Sequence, residues 1–159
     1  MPVLQSLEEL EVLLDDRPNE TRTYRVAPNA AAEILGAVRS LDNGLRIREM
    51  DTSEVEELAQ YLEVASEDFQ GPLTVSDLSC SGCGRRLSIL DLAKTGVEDA
   101  LHSKEMLAAV LTGNAGQWVT VRGRDGGRHA NCSACGRLSD APFDSYSTSL
   151  ECPVYYVWA

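Results

Sequence analysis

Two short stretches carry the residues best suited to chemistry. Cys80 to Ser88 reads CSGCGRRLS, and Cys132 to Ser139 reads CSACGRLS. Each holds a C-x-x-C pair followed by glycine. A tight C-x-x-C turn aims both sulfurs at one point, and backbone N–H groups inside it stabilise the thiolates a metal requires. The glycine after the second cysteine permits the positive φ on which such a turn exits, and Gly84 and Gly136 stand there. Two such turns brought together make a tetrahedral site of four thiolates, an arrangement favoured by structural Zn²⁺ at Zn–S of ~2.3 Å. Cys80, Cys83, Cys132 and Cys135 are the expected ligands of one zinc ion, which leaves Cys152 over.

The pair resembles the zinc knuckles of zinc-ribbon proteins, across the two C-x-x-C-G turns and the strands that flank them. It departs from a compact ribbon in spacing. Gly84 to Asn131, 48 residues, separate the knuckles, and this insert reads as a helix and a strand.

Other chemistry for these cysteines is disfavoured. A thioredoxin-like redox pair needs one C-x-x-C at a helix N-terminus, whereas two near-identical copies occur here and neither opens an evident helix. His129, three residues before Cys132, is placed to substitute for a cysteine ligand or to join an open site. A zinc deaminase would need H-x-E and P-C-x-x-C, and His129-Ala130-Asn131 supplies neither the glutamate nor the proline. A closed four-thiolate site also leaves no position for the water of a hydrolytic zinc. The ordinary reading of His129 is a loop histidine near the metal, and of His102 a surface or packing histidine. No dinucleotide fingerprint, P-loop, G-x-S-x-G or H-E-x-x-H is present. Asp15-Asp16 and Glu56-Glu57 are helix neighbours that point to different faces, so they are poor acid/base pairs.

Arginines gather around the knuckles in sequence. Arg85, Arg86 and Arg137 follow the glycines, and Arg122, Arg124 and Arg128 lead into the second knuckle. Zn²⁺ with four thiolates carries a net double negative charge that nearby guanidinium groups would offset. The alternative is a local anion-binding face for a phosphate, nucleic acid or acidic protein segment. Trp118 and Tyr146 could add stacking there, although aromatic residues in strands more often belong to a core.

The 159-residue chain is acidic, with net charge −11 and pI near 4.5. Residues 1 to 70 hold 16 Asp/Glu against 6 Arg, whereas the remainder is nearly balanced. Such a chain does not grip a phosphate backbone with its whole surface, since that affinity comes from Lys and Arg. The acidic half reads as a solvated face or as a docking surface for a basic protein partner, as in inhibitor or immunity-type proteins. No apolar run approaches the ~20 residues of a membrane helix. The N-terminus is acidic where a signal peptide is basic, and the cysteines are arranged as in a reducing compartment, so a cytoplasmic protein is expected.

Periodicity and turn chemistry predict a mixed α+β protein. Helices are expected over Leu4–Asp16, over Ala30–Ser40 behind an Asn29 cap, and after Asp51 with a capping box to Glu54. Strands are expected over Thr21–Val26 and Leu45–Met50, so the first half reads αβαβα. Ser66 to Pro72 is the best boundary, dividing an acidic subdomain, 1–70, from a zinc-knuckle subdomain, 71–159. The second half reads as a strand over Leu73–Leu78, a short helical turn at Ile89–Leu92, a helix over Val97–Leu111 and a strand over Gln117–Arg122. A hairpin-type turn follows at Asp125-Gly126, and the apolar tail Val154–Trp158 suits an edge strand. Such a chain reads as a zinc-stabilised binding protein, or alternatively as a small enzyme with a pocket between the halves.

Overall fold

Two alternating apolar segments far apart in sequence set the main sheet. In the computed structural model, which describes residues 2–39, 47–143, 145–146 and 154–157, they form β2 (Arg22–Val26) and β5 (Trp118–Val121). These strands pair antiparallel, with Thr23 opposite Thr120 and Tyr24 opposite Val119. A two-residue β1 (Val3–Leu4), too short to show alternation, adds parallel to β2. The tail supplies β7 (Val154–Val157), parallel to β5, so that the order is β1-β2-β5-β7 with β7 at an edge.

Strand periodicity gives this sheet two buried faces. Tyr24, Val26, Val119 and Val121 pack against Leu10 of α1 (Leu7–Asp15) and Ile34 and Leu35 of α2 (Ala31–Arg39). Ser6 caps α1 by accepting from the Glu9 N–H, which leaves Leu4 to β1. Asn29 does not cap α2. Pro28–Ala30 form a 3₁₀ turn instead, because Pro28 fixes φ at a helix start and has no N–H to satisfy.

A second sheet is antiparallel, in the order β3 (Ile47–Glu49), β4 (Thr74–Ser76), β6 (Ser145–Tyr146). Leu45 and Arg46, the start of the strand expected over Leu45–Met50, lie outside the described residues. The Asp51/Glu54 capping box forms in both directions and opens α3 (Thr52–Leu62). Its Leu58 and Leu62 share a core with Val75, Leu87, Ile89, Phe143 and the two buried cysteines Cys80 and Cys132.

The insert between the knuckles contains two helices where the sequence predicts a short turn and one helix. Ser88 and Asp91 form a capping box that opens α4 (Ile89–Glu98), and Ser103 caps α5 (Lys104–Leu111) by accepting from Met106 N–H. Ala100 turns the chain between them with φ +57°. The stripe Val97, Leu101, Ala108, Leu111 runs across this break, so Leu101 points outward and is 65% exposed.

Asp125-Gly126 makes its turn, with Gly126 at φ +88°, but it joins no hairpin, since β5 pairs with β2 and β7. The Asp125 carboxylate accepts from Thr21 N–H at 2.9 Å, Thr21 hydroxyl at 2.6 Å and Gly127 N–H at 3.0 Å. This fastens the loop to the start of β2. A Cβ on Gly123 would lie 2.4 Å from the Glu20 carbonyl carbon and 2.7 Å from the Thr21 nitrogen, both main-chain atoms. Gly123→Ala should therefore lower stability by about 1–3 kcal/mol in urea unfolding.

Arg48 joins β3 to α3 and to the first knuckle. It donates to both Glu54 carboxylate oxygens, at 2.6 and 2.7 Å, and to the Leu87 carbonyl at 2.6 Å. The Arg48 hydrogen bond holds the Glu54 carboxyl below its ordinary value, against the upward pull of burial. A depressed carboxyl contributes stability above its unfolded value of ~4.3, lost as pH falls through the folded one. Glu54→Gln should cost about 3 kcal/mol at pH 7 by leaving Arg48 without its carboxylate, and its difference from wild type should shrink below about pH 4. Urea titrations of both proteins across that range measure this.

Candidate metal centre

Each knuckle is closed by the same backbone bonds. Cys80 C=O accepts from Gly84 N–H at 2.9 Å and Cys80 N–H donates to Arg85 C=O at 2.7 Å. Cys132 C=O accepts from Gly136 N–H at 2.8 Å and Cys132 N–H donates to Arg137 C=O at 2.9 Å. Gly84 and Gly136 have φ of +77° and +80°, which explains the glycine after each pair. Further out, Leu87 N–H meets Leu78 C=O as Ser139 N–H meets Ala130 C=O. Leu87 is thus the counterpart of Ser139, and the repeated Leu-Ser letters fall one residue out of structural register.

The knuckles face each other. Cys80 Sγ lies 3.5 Å from Cys135 Sγ, Cys83 Sγ lies 3.6 Å from Cys132 Sγ, and all four sulfurs fall within 4.8 Å of one another. Four thiolates held ~2.3 Å from a central ion stand ~3.8 Å apart, so the donor set and its spacing fit a tetrahedral metal. Cys80 and Cys132 are buried, and Cys83 and Cys135 are exposed. The Cys83 and Gly82 N–H groups donate to Cys80 and bring its thiol down to about 7. The Arg85 N–H acts on Cys83 in the same sense, but the hydrogen bond with Cys132, burial and the other thiols push Cys83 up to about 11. Four thiols this close resist sharing negative charge unless a cation is among them.

Asp91, at the third position of α4, is the functional residue that sequence reasoning missed. Its side chain is fully buried and ties the knuckles together. From the first, Arg85 Nε donates to it at 3.0 Å and Ser88 N–H at 2.8 Å. From the second, Ser133 donates through N–H at 2.8 Å and hydroxyl at 2.7 Å. Burial is the largest single influence on its carboxyl and raises it. Arg85, Ser133 and Ser88 together still hold it below its ordinary value. The signal was present in Ser88-x-x-Asp91, a capping-box pattern at the end of the first knuckle. One turn further on, Thr95 Oγ1 accepts from Asn131 N–H at 2.8 Å and fixes the entry to the second knuckle.

The arginines near the knuckles in sequence find separate partners. Arg85 pairs with Asp91 and reaches Glu57 at 3.8 Å, Arg86 lies 3.8 Å from Asp77, and Arg137 lies 3.6 Å from Asp140. Arg124 pairs with Asp16 and belongs with the loop that Asp125 fastens. Arg122 stands at the end of β5, with its carbonyl accepting from Arg17. Arg128 reaches the Thr21 carbonyl at 3.4 Å. Among the described residues, the group of mutually close metal-ligating atoms comprises the four cysteines and does not include His129, whose Nδ1 meets the Ser139 carbonyl at 2.8 Å. Trp118 is buried, with Nε1 donating to Ala115 C=O at 3.0 Å. The Tyr146 side chain and Cys152 lie outside the described residues.

An α+β fold whose C-terminal half gathers four cysteines at metal-binding distance is the class of protein these features define. The chain belongs to the family described as Domain of unknown function (DUF8243), whose model matches residues 19–158 and so takes in both knuckles and Asp91. No curated protein and no solved structure matches the chain. Among the described residues, no helix is long and apolar enough to cross a membrane.

Proposed function

We propose that the chain is a non-catalytic binding protein in which Cys80, Cys83, Cys132 and Cys135 hold a structural zinc ion. The convergence of four thiols within 4.8 Å carries this reading, because four protein ligands complete a tetrahedron and leave no place for a reacting water. The buried pair Cys80 and Cys132 lies in the same core as Leu87, Ile89 and Phe143, so the ion would brace that core.

The partner would be a protein with a basic surface. Glu8, Glu9, Glu11, Asp15 and Asp16 are exposed on and just after α1, around Val12, which is 66% exposed. Asp16 is partly offset by Arg124, and the remaining acids around an apolar centre suit a complementary basic patch.

Cobalt substitution tests the metal assignment. Co²⁺ in the full chain should show the intense visible bands of tetrahedral coordination and strong thiolate-to-metal charge transfer. A pale, octahedral spectrum would overturn the closed site. For the surface, capture of a basic partner should weaken with salt and be lost in Glu8→Lys with Glu11→Lys, and capture insensitive to both would count against it.

A further inference from the structure

A cavity of ≈ 260 Å³ lies between the main sheet and the α4–α5 pair, just below the ~300–1,000 Å³ usual for small-molecule sites. Strand alternation builds its floor: Trp118 and Thr120 of β5 and Thr23 of β2 belong to the sheet face turned away from α1 and α2. Its walls are apolar and come from the two helices, with Leu92, Leu107 and Val110 among them. The break between those helices shapes its rim, where Leu101 and Met106 are 65% and 41% exposed.

Charged and titratable groups also reach this apolar space. Arg128, His129 and His102 all line it. Arg128 is half-buried, and among the described residues no carboxylate lies within 4.0 Å of it, in contrast to Arg85, Arg86, Arg124 and Arg137. Two acids stand near, Asp99, which is exposed at the lining, and Asp125, which is engaged by Thr21 and Gly127. The Ser139 carbonyl can only accept, so His129 Nδ1 carries the proton of that 2.8 Å bond, which fixes the ring at the lining and leaves Arg128 as the group that can donate to an anion. Burial, and then the Arg128 charge, hold the His102 imidazole below its ordinary value. The positive charge of Arg128 is therefore felt inside the cavity. A half-buried guanidinium that no carboxylate contacts, and that acts on Asp125 only through space, favours an anion.

We infer that this cavity binds a small apolar carboxylate, with its hydrocarbon body against α4 and α5 and its anionic end at Arg128. The inference stands apart from the role of the metal, because none of the four cysteines lines the cavity.

The probe is 2-naphthoate, with the isosteric neutral 2-naphthamide as its comparison, titrated into the metal-loaded full chain and followed by amide chemical shifts. The carboxylate should bind saturably, shift lining residues of α4, α5 and β5, and bind at least tenfold more tightly than the amide. Met106→Trp, which fills the exposed mouth, should weaken both ligands at least fivefold. Arg128→Met should weaken the carboxylate about tenfold and leave the amide within about twofold. Arg128→Lys, which keeps the charge, should recover most of that loss. If Arg128→Met melts well below wild type, the carboxylate-to-amide ratio in wild type and Arg128→Lys decides the question. Equal affinities for the two ligands, no saturable binding, or shifts confined to another surface would each overturn the inference.

Discussion

Cys132→Ser should abolish the folded state of the second core. As purified, the wild-type chain should carry roughly one zinc ion, and the variant should lose it together with its near-UV signal and its amide protection in α3, α4 and α5. The size of the effect follows from linkage. Apparent zinc binding to a structural site is worth ~10–16 kcal/mol at pH 7, whereas an entire domain is stable by ~5–15 kcal/mol. Without the ion, four thiols packed within 4.8 Å face burial and mutual repulsion instead of coordination. Cys132, like Cys80, is a severe position because its thiol is buried in that core. Cys135→Ser, at an exposed ligand, should weaken metal retention while leaving more residual structure. A strong chelator added to wild type should reproduce the Cys132→Ser state. A Cys132→Ser chain that keeps native amide protection would remove the structural role from the metal.

How much of this was legible in the sequence depended on whether the signal was local. The knuckles were legible because the turn, its glycine and its spacing are one continuous string, and Gly84 and Gly136 have the positive φ that string implies. The Asp51/Glu54 cap and the central strands were legible for the same reason. The break between α4 and α5 was not, since an apolar stripe at helical spacing continues across it and Ser103 reads as one more polar residue. The arginines illustrate the converse: closeness in sequence said nothing about which carboxylate each would find. Arg124 turned to Asp16 and Arg86 to Asp77, partners set by tertiary packing. Asp91 was hidden in a different way. Its local pattern announces only a helix start, and its second role appears when Ser133, 42 residues on, is brought against it.

That second role makes Asp91 the side chain whose loss should matter most after the cysteines. Its carboxylate satisfies donors from both knuckles and neutralises Arg85, whose charge in turn lies beside the thiol cluster. Removing one member of a buried charged network costs more than the network is worth, because the remaining charge stays without its partner. Asp91→Asn should lower stability by about 3–5 kcal/mol, since one amide oxygen can still accept from Ser133 or Ser88 while Arg85 faces an N–H₂ group. Outer residues that orient metal ligands typically change metal affinity by about 10–100-fold, so zinc transfer to a chromophoric chelator should become easier by that order. Arg85→Met should move both quantities in the same direction, and the double variant should cost less than the two single changes added together, because each already breaks the same pair. A variant destabilised only by a lost helix cap would show a loss of ~1 kcal/mol and wild-type chelator kinetics. Additive losses with unchanged zinc transfer would reduce Asp91 to that local role, whereas non-additive losses with faster transfer would establish that one carboxylate beneath the cluster holds the two knuckles in the register the metal requires.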